Sequence, residues 1–250
     1  MRDAHRFLRI GHRGAAALEP ENTRRSIRRA LDLGVEMVEI DVRACASGEL
    51  VVAHDDELAS VHGERFRVSA QALPALRGYD IGKGERLITV SEALEEIRGR
   101  ALVNLDLKIE GQAPALLALV RHMNLIDEAI VTGSATASFG YLKAEQPRLW
   151  VGLSVSAGPL ARARAALDER APHRAVRRAA DLARQAAAVR ADALMLEYTQ
   201  VSAALVRALH ARGQRVYVWT VDNGAEMARL KGQGVDGVTS NRVDVLMRAV

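Results

Sequence analysis

Glu39 and Asp41 close the run Val35-Glu36-Met37-Val38-Glu39-Ile40-Asp41, which reads as a strand. Side chains on a strand alternate between faces, so the two carboxylates point the same way. Two acids side by side on a buried face repel each other and lose solvation. A divalent cation removes both problems, and hard cations take oxygen ligands. The alternative is a strand end whose acids are solvated or paired with Arg. His12-Arg13-Gly14 upstream and His54-Asp55 downstream also end apolar runs. In Val103-Asn104-Leu105-Asp106-Leu107-Lys108, the residues Asn104, Asp106 and Lys108 share one face and the aliphatic residues take the other. The chemistry these groups support is metal-assisted attack on a phosphate ester. Glu39, Asp41 and Asp106 offer oxygen ligands for one divalent cation, Mg²⁺ or Ca²⁺. Zinc would favour His and Cys. Arg13 and Lys108 can neutralise phosphate oxygens. Histidine titrates near neutrality, so His12 and His54 are candidates for general base and general acid. Glu197 and Trp219-Thr220 end apolar runs too and are candidates to touch substrate. Trp219 would form a wall beside the ligand, or else pack between barrel and helix. His5, His62, His122, His173 and His210 lack such a setting and read as surface or packing residues.

These groups can act together only if the chain brings strand ends to one place. Phe7–Ile10 reads as a short strand, followed by a helix over Arg24–Leu33 with Asn22 or Thr23 as its N-cap and Gly34 as its stop. The Glu39/Asp41 strand follows, so the pair is parallel. Leu50–Ala53 is a second short strand that delivers His54. Residues 56–88 are weakly patterned and are expected as a loop with short helices over one end of the fold. Thr89 to Arg98 is a helix in which Glu92 stands where a capping box on Thr89 needs it. Strands are then expected at Ala101–Leu107, Ala129–Thr132, Leu149–Ser154, Ala193–Glu197, Arg215–Thr220 and Val235–Thr239. Helices are expected at Pro114–Met123, Ser138–Glu145, Ala175–Val189, Ser202–Arg212, Ala225–Gly232 and Arg242–Ala249. With the first two strands, this pattern predicts a TIM (β/α)₈ barrel as a single α/β domain over residues 1–250, with a small hairpin and loop insertion after its second strand. A doubly wound open sheet would want a Gly-x-Gly-x-x-Gly turn, and none is present. In a TIM barrel the strand ends listed above share one mouth.

The bulk numbers agree with this and exclude other classes. A chain of 250 residues, 49% hydrophobic and 26% charged, can bury a sizeable core. No apolar run approaches the ~20 residues that span a bilayer, and the apolar stretch behind the polar N-terminus is too short for a signal-peptide core. Cys45 is the only cysteine, which rules out an intrachain disulfide or a Cys-based metal site and fits a cytoplasmic setting. The net charge of +4 suits an anionic small-molecule ligand. Aromatics at 4% are too few for base-stacking platforms, so no nucleic-acid partner is expected. The stretch from Ala157 to Arg190 carries eight arginines and is long for one βα unit. It reads as two helices, or a loop and one helix, that form either a solvated face or a lip attracting anionic substrate.

The ordered motifs resemble those of the glycerophosphodiester phosphodiesterase family. They are Gly11-His12-Arg13-Gly14, Pro20-Glu21-Asn22-Thr23, Glu39-x-Asp41 and His54-Asp55-x-x-Leu58. Later come Asn104-Leu105-Asp106-Leu107-Lys108, Val218-Trp219-Thr220-Val221-Asp222 and Gly234-Val235-Asp236-Gly237-Val238. The resemblance covers nearly the whole chain. It implies metal-dependent hydrolysis of glycerophosphodiesters to an alcohol and sn-glycerol 3-phosphate. In the family the matching acids hold the metal, the matching histidines serve as acid and base, and the residues matching Arg13 and Lys108 bind phosphate. A neighbouring glycerol hydroxyl attacks phosphorus first, giving a cyclic phosphate that water opens. The chain departs from the family at Asp106, where Glu is usual. Asp there also resembles the sphingomyelinase D-like enzymes. Thr89 or Val90 and Val243 replace prolines, and Asp222 stands where Asn is common. A lysophospholipase D-like activity on lipid head groups, or a non-catalytic barrel that binds a phospho-ligand, are the competing expectations.

Overall fold

The structure is a computed structural model that describes residues 6–133 and 136–250. The expected surface residue His5 lies outside the described residues. The chain begins β1 (Leu8–Gly11), α1 (Arg24–Leu33) and β2 (Met37–Ala44). A small insertion follows: β3 (Leu50–Val52), β4 (Glu57–Ala59), β5 (Arg65–Arg67) and α2 (Leu73–Leu76). Alternation then settles in with α3 (Val90–Ile97), β6 (Leu102–Leu107), α4 (Ala113–His122), β7 (Ala129–Gly133), α5 (Ala137–Glu145) and β8 (Trp150–Val155). Two helices separate the next strands, α6 (Ala161–Arg170) and α7 (Pro172–Ala188), before β9 (Ala193–Glu197) and α8 (Ala203–His210). The chain closes with β10 (Arg215–Trp219), α9 (Gly224–Gly232), β11 (Gly237–Ser240) and α10 (Val243–Ala249).

Eight of these strands form a closed parallel barrel in the order β1-β2-β6-β7-β8-β9-β10-β11, with β11 returning to β1. Strand alternation decides which side chains go where. Val38, Ile40 and Val42 of β2 and Val103, Leu105 and Leu107 of β6 face outward into the apolar layer beneath the helices. The barrel interior is filled by a separate cluster that includes Ile10, Met37, Ile130, Met195 and Tyr217. The interior face changes from apolar to charged toward the C-terminal strand ends. There β2 and β6 pair in register, Glu39 beside Asn104 and Asp41 beside Asp106.

Local chemistry sets the element ends. Thr23, rather than Asn22, caps α1, its side chain accepting from the Ser26 N–H. Thr89 and Glu92 form the reciprocal capping box expected of α3. The insertion is more ordered than its sequence pattern implies. β4 and β5 pair antiparallel, and Phe66 stacks on Tyr79 with ring centroids 4.0 Å apart. Phe66, Val68, Leu73, Leu76 and Leu87 make a second small core. The strands there are three residues each, too short to show a period in sequence. β11 begins at Gly237 instead of Val235, and the Asp236 carboxylate just before it accepts from Arg215 and the Val216 N–H.

Candidate active site

One cavity of about 270 Å³ opens at the C-terminal strand ends, and His12, Arg13, Glu39, His54, Asp106 and Lys108 all line it. Trp219 lines it as well. Its indole N–H donates to the Met195 carbonyl at 2.9 Å, and its ring packs on the barrel-interior cluster instead of between barrel and helix. Asp41 is fully buried, against Arg13 and Lys108. Glu197 is not among the lining residues. Its carboxylate accepts from the Ala157 N–H at 2.9 Å and the Thr199 hydroxyl at 3.0 Å, so it anchors the β8–α6 connection.

The turn after β1 is built so that Arg13 and His12 both reach Glu39. Arg13 has φ 50°, and its N–H donates to Glu39 Oε2 at 2.8 Å. Gly14 follows with φ 81°, and a Cβ there would stand 2.5 Å from the Ser26 backbone of α1. Only glycine lets the turn sit on the helix so closely. The guanidinium of Arg13 lies 2.8 Å from Glu21 and 3.2 Å from Asp41 Oδ2. Asn22 is buried with φ 58° and donates to Asp41 Oδ2 at 2.7 Å. Sequence reasoning offered Asn22 only as a helix cap. Its place in the Pro20-Glu21-Asn22-Thr23 motif was the signal of a larger role.

Glu39, Asp41 and Asp106 each present a carboxylate oxygen, all within 4.8 Å of one another. Asp106, shorter than the usual Glu, therefore still reaches the cluster. Gly133 makes room for it. A Cβ at Gly133 would stand 2.6 Å from the Leu107 carbonyl and 3.3 Å from Asp106 Oδ1. Burial, then the charges of Asp41 and Asp106, push Glu39 well above the usual carboxylate range. Burial works the same way on Asp41, but Lys108, Arg13 and Asn22 outweigh it and hold Asp41 below that range. Lys108 Nζ stands 2.8 Å from Asp41 Oδ1 and 2.5 Å from Asp106 Oδ2. Burial lowers the Lys108 pKa, but these two carboxylates raise it further. Despite that proximity, Asp41 Oδ1 is buried with no aligned hydrogen-bond donor. A crowded all-oxygen donor set with one member forced toward its protonated form fits a hard divalent cation.

His12 is positioned through a chain that sequence reasoning missed. Asn241 donates its amide N–H to Asp222 Oδ2 at 2.8 Å, which turns its Oδ1 toward His12 Nδ1 at 2.7 Å. Nδ1 therefore carries the proton, and Nε2, 3.8 Å from Glu39 Oε2, presents a lone pair to the cavity. Burial is the main effect on His12 and lowers its pKa, against the Asn241 bond, which raises it. Burial opposes the charge of Asp222, but donors from Asn241, Ser240 and the backbone hold its carboxyl below the usual range. His54 follows β3, which pairs antiparallel with β2. Its Nδ1 is 2.9 Å from Asp55, and the Ala53 N–H ties this segment to the Asp41 carbonyl at 3.1 Å.

A larger groove of about 730 Å³ lies at the opposite end of the barrel, lined among others by Glu36, Leu102, Trp150, Arg215 and Tyr217. Its Arg215 pairs with Asp236 at 2.7 Å, and its Glu36 pairs with Arg9. The acid cluster is not there. In TIM barrels, chemistry belongs to the C-terminal strand ends.

The sequence model of the glycerophosphoryl diester phosphodiesterase family matches residues 12–245. The chain is 28% identical to a glycerophosphodiester phosphodiesterase of Caldanaerobacter subterraneus over 97% of each protein. It is 23% identical to one of Bacillus subtilis over 96% of this chain and 85% of that one. Among solved structures, a phosphodiesterase of Oleispira antarctica, determined in complex with the product sn-glycerol-3-phosphate, superposes with a TM-score of 0.76 at 25% identity. The match covers 97% of this chain and 96% of that one. A glycerophosphodiester phosphodiesterase of Agrobacterium tumefaciens superposes with a TM-score of 0.77 at 24% identity, over 97% and 99% of the two chains. With the family model matched over nearly its whole length, this chain belongs to the glycerophosphoryl diester phosphodiesterase family.

Proposed function

We propose that the mouth hydrolyses glycerophosphodiesters to an alcohol and sn-glycerol 3-phosphate, with one divalent cation and with His12 and His54 sharing the proton transfers. The hydrolytic activity follows from the family. The observation that carries the finer reading is the cluster of three carboxylates, two of which line one cavity together with both histidines. Glu39, Asp41 and Asp106 would hold the cation, Mg²⁺ or Ca²⁺, which supplies positive charge against the phosphoryl oxygens. Arg13 and Lys108 add to that charge, and Trp219 offers a flat wall to the glycerol or the leaving alcohol. The lone pair on His12 Nε2 suits it to take the proton of the glycerol 2-hydroxyl as that oxygen attacks phosphorus. His54 then gives a proton to the alcohol oxygen as its bond to phosphorus breaks. In the second step the roles reverse. His54 takes a proton from water, the water oxygen opens the cyclic phosphate, and His12 returns its proton to the glycerol oxygen. The reading places the enzyme in the cytoplasm, in keeping with a buried, unpaired Cys45. Among the described residues no helix is long and apolar enough to cross a membrane.

Glycerophosphocholine should release choline and sn-glycerol 3-phosphate. EDTA should abolish turnover, and Mg²⁺ or Ca²⁺ should restore it. Glu39 must give up a proton to serve as a ligand, so cation binding should tighten as pH rises and should release protons into the buffer. Titration calorimetry in buffers of different ionisation enthalpy reads both. Full activity in chelator would remove the metal from this account.

A further inference from the structure

The helical pair after β8 is charged and apolar in a way the barrel does not need. Helices α6 and α7 carry seven arginines against three acids between Ala161 and Ala188. The net charge of the whole chain is +4, so this pair holds the equivalent of all of it. Asp168 is taken by Arg178 at 2.7 Å, Asp181 pairs with Arg184, and Glu169 accepts from the Ala203 N–H. Among the described residues Arg164, Arg170, Arg174 and Arg177 have no carboxylate partner, whereas three of the four arginines of α1 and the one of α9 do: Arg24 and Arg28 reach Glu96, Arg25 reaches Glu19, and Arg229 reaches Glu226. Arg164 of α6 and His173, Arg174 and Arg177 of α7 line one groove of about 360 Å³, so the two exposed faces are continuous.

Large apolar side chains stand among these arginines. The described residues expose five large hydrophobics, and three are here: Leu160 at 62%, Leu167 at 43% and Val176 at 46%. Leu160 and Leu167 are seven residues apart, which puts them on one face of α6 with Arg164 between them. The pair also sits at the catalytic mouth. Ser154 and Ser156 line the mouth, and Leu160 caps α6 just beyond them. Because β8 and β9 are parallel, α7 runs back down the barrel, and its first turns stand at the mouth end.

We infer that the face made by Leu160, Arg164, Leu167, Arg174, Val176 and Arg177 docks the mouth onto an anionic lipid surface. Arginines attract the headgroup charge, and leucines beside them enter the boundary below it, as on interfacial amphipathic helices. A purely polyanionic partner such as nucleic acid would use the arginines and leave the leucines without a role. Docking would bring phosphodiesters borne by lipids to the mouth. That consequence rests on the catalytic reading, while docking itself is a binding event measured without turnover.

The test is co-sedimentation of the full chain with vesicles of phosphatidylcholine alone and of phosphatidylcholine mixed with phosphatidylglycerol, at low and at physiological salt. Soluble glycerophosphocholine turnover is followed separately as a check on folding. The expected result is binding to the mixed vesicles only, weakened by salt. Reversing charge in the triple variant Arg164→Glu/Arg174→Glu/Arg177→Glu should weaken that binding by at least about thirty-fold. Leu160→Ser/Leu167→Ser should weaken it by at least about five-fold. Both variants should keep turnover of the soluble substrate. The same charge reversal at Arg29, Arg98 and Arg248, elsewhere on the molecule, should leave most of the vesicle binding. Equal binding to both vesicle types would overturn the proposal. So would equal losses from the two sets of arginines, or full vesicle binding by the leucine variant together with tight binding of double-stranded DNA.

Discussion

At the scale of residues, the site is a problem of unlike roles for like groups. Glu39 and Asp41 are both buried acids on one strand face, yet burial and its acidic neighbours drive Glu39 toward its neutral form while Lys108, Arg13 and Asn22 keep Asp41 charged. The same division separates the histidines. His12 is held by the chain Asp222–Asn241–His12, and His54 by a single neighbour, Asp55. The chain fixes which ring nitrogen of His12 carries the proton, and a base held in the wrong tautomer cannot accept one. Asn241→Leu should therefore lower kcat by at least about ten-fold with little change in KM or in far-ultraviolet circular dichroism. Asn241→Asp would set two carboxylates against each other at hydrogen-bond distance and should be as slow. Combining it with Asp222→Asn exchanges the partners and should restore much of the loss. A double variant no faster than Asn241→Asp would show that Asp222 and Asn241 do not act as a chain.

At the scale of elements, what brings the site together is mostly the ends of strands and the turns directly behind them. The alternation of β2 and β6 was legible because one face is aliphatic and the other acidic, and that pattern fixes which side chains meet inside the barrel. The contacts of Asn22, Asn241 and Glu197 were not legible. Each depends on where a turn from another part of the chain comes to rest: Asn22 on Asp41, Asn241 between His12 and Asp222, Glu197 under the loop at Ala157. The β4–β5 pair of the insertion was not legible, because strands of three residues carry no period. Gly14 tests the claim that the turn after β1 positions the chemistry. Gly14→Ala puts a Cβ against the α1 backbone at a φ of 81°. It should lose about 1–3 kcal/mol of stability by denaturant titration. It should also lose kcat, since Arg13 and His12 move with the turn. Lost stability with unchanged kcat would make the turn a structural joint only.

At the scale of the molecule, the barrel separates stability from chemistry. Its interior cluster and its helix-facing layer are apolar, and the acid cluster with its two histidines stands at one mouth. The eight-stranded closure itself could be counted from the sequence, since each βα unit is a local pattern. The Arg-rich segment proved to be two helices beside the mouth, and its exposed leucines became visible only when the fold showed which faces stay uncovered. The central claim is that the two histidines of that mouth divide the proton work. It is tested most directly by turnover of His12→Ala and His54→Ala on two substrates, glycerophosphocholine and a glycerol nitrophenyl phosphodiester. On glycerophosphocholine each variant should lose at least about 10²-fold in kcat. On the nitrophenyl substrate, whose alcohol leaves without a proton, His54→Ala should recover most of its rate and His12→Ala should not. Wild-type turnover of glycerophosphocholine by either variant would contradict the account.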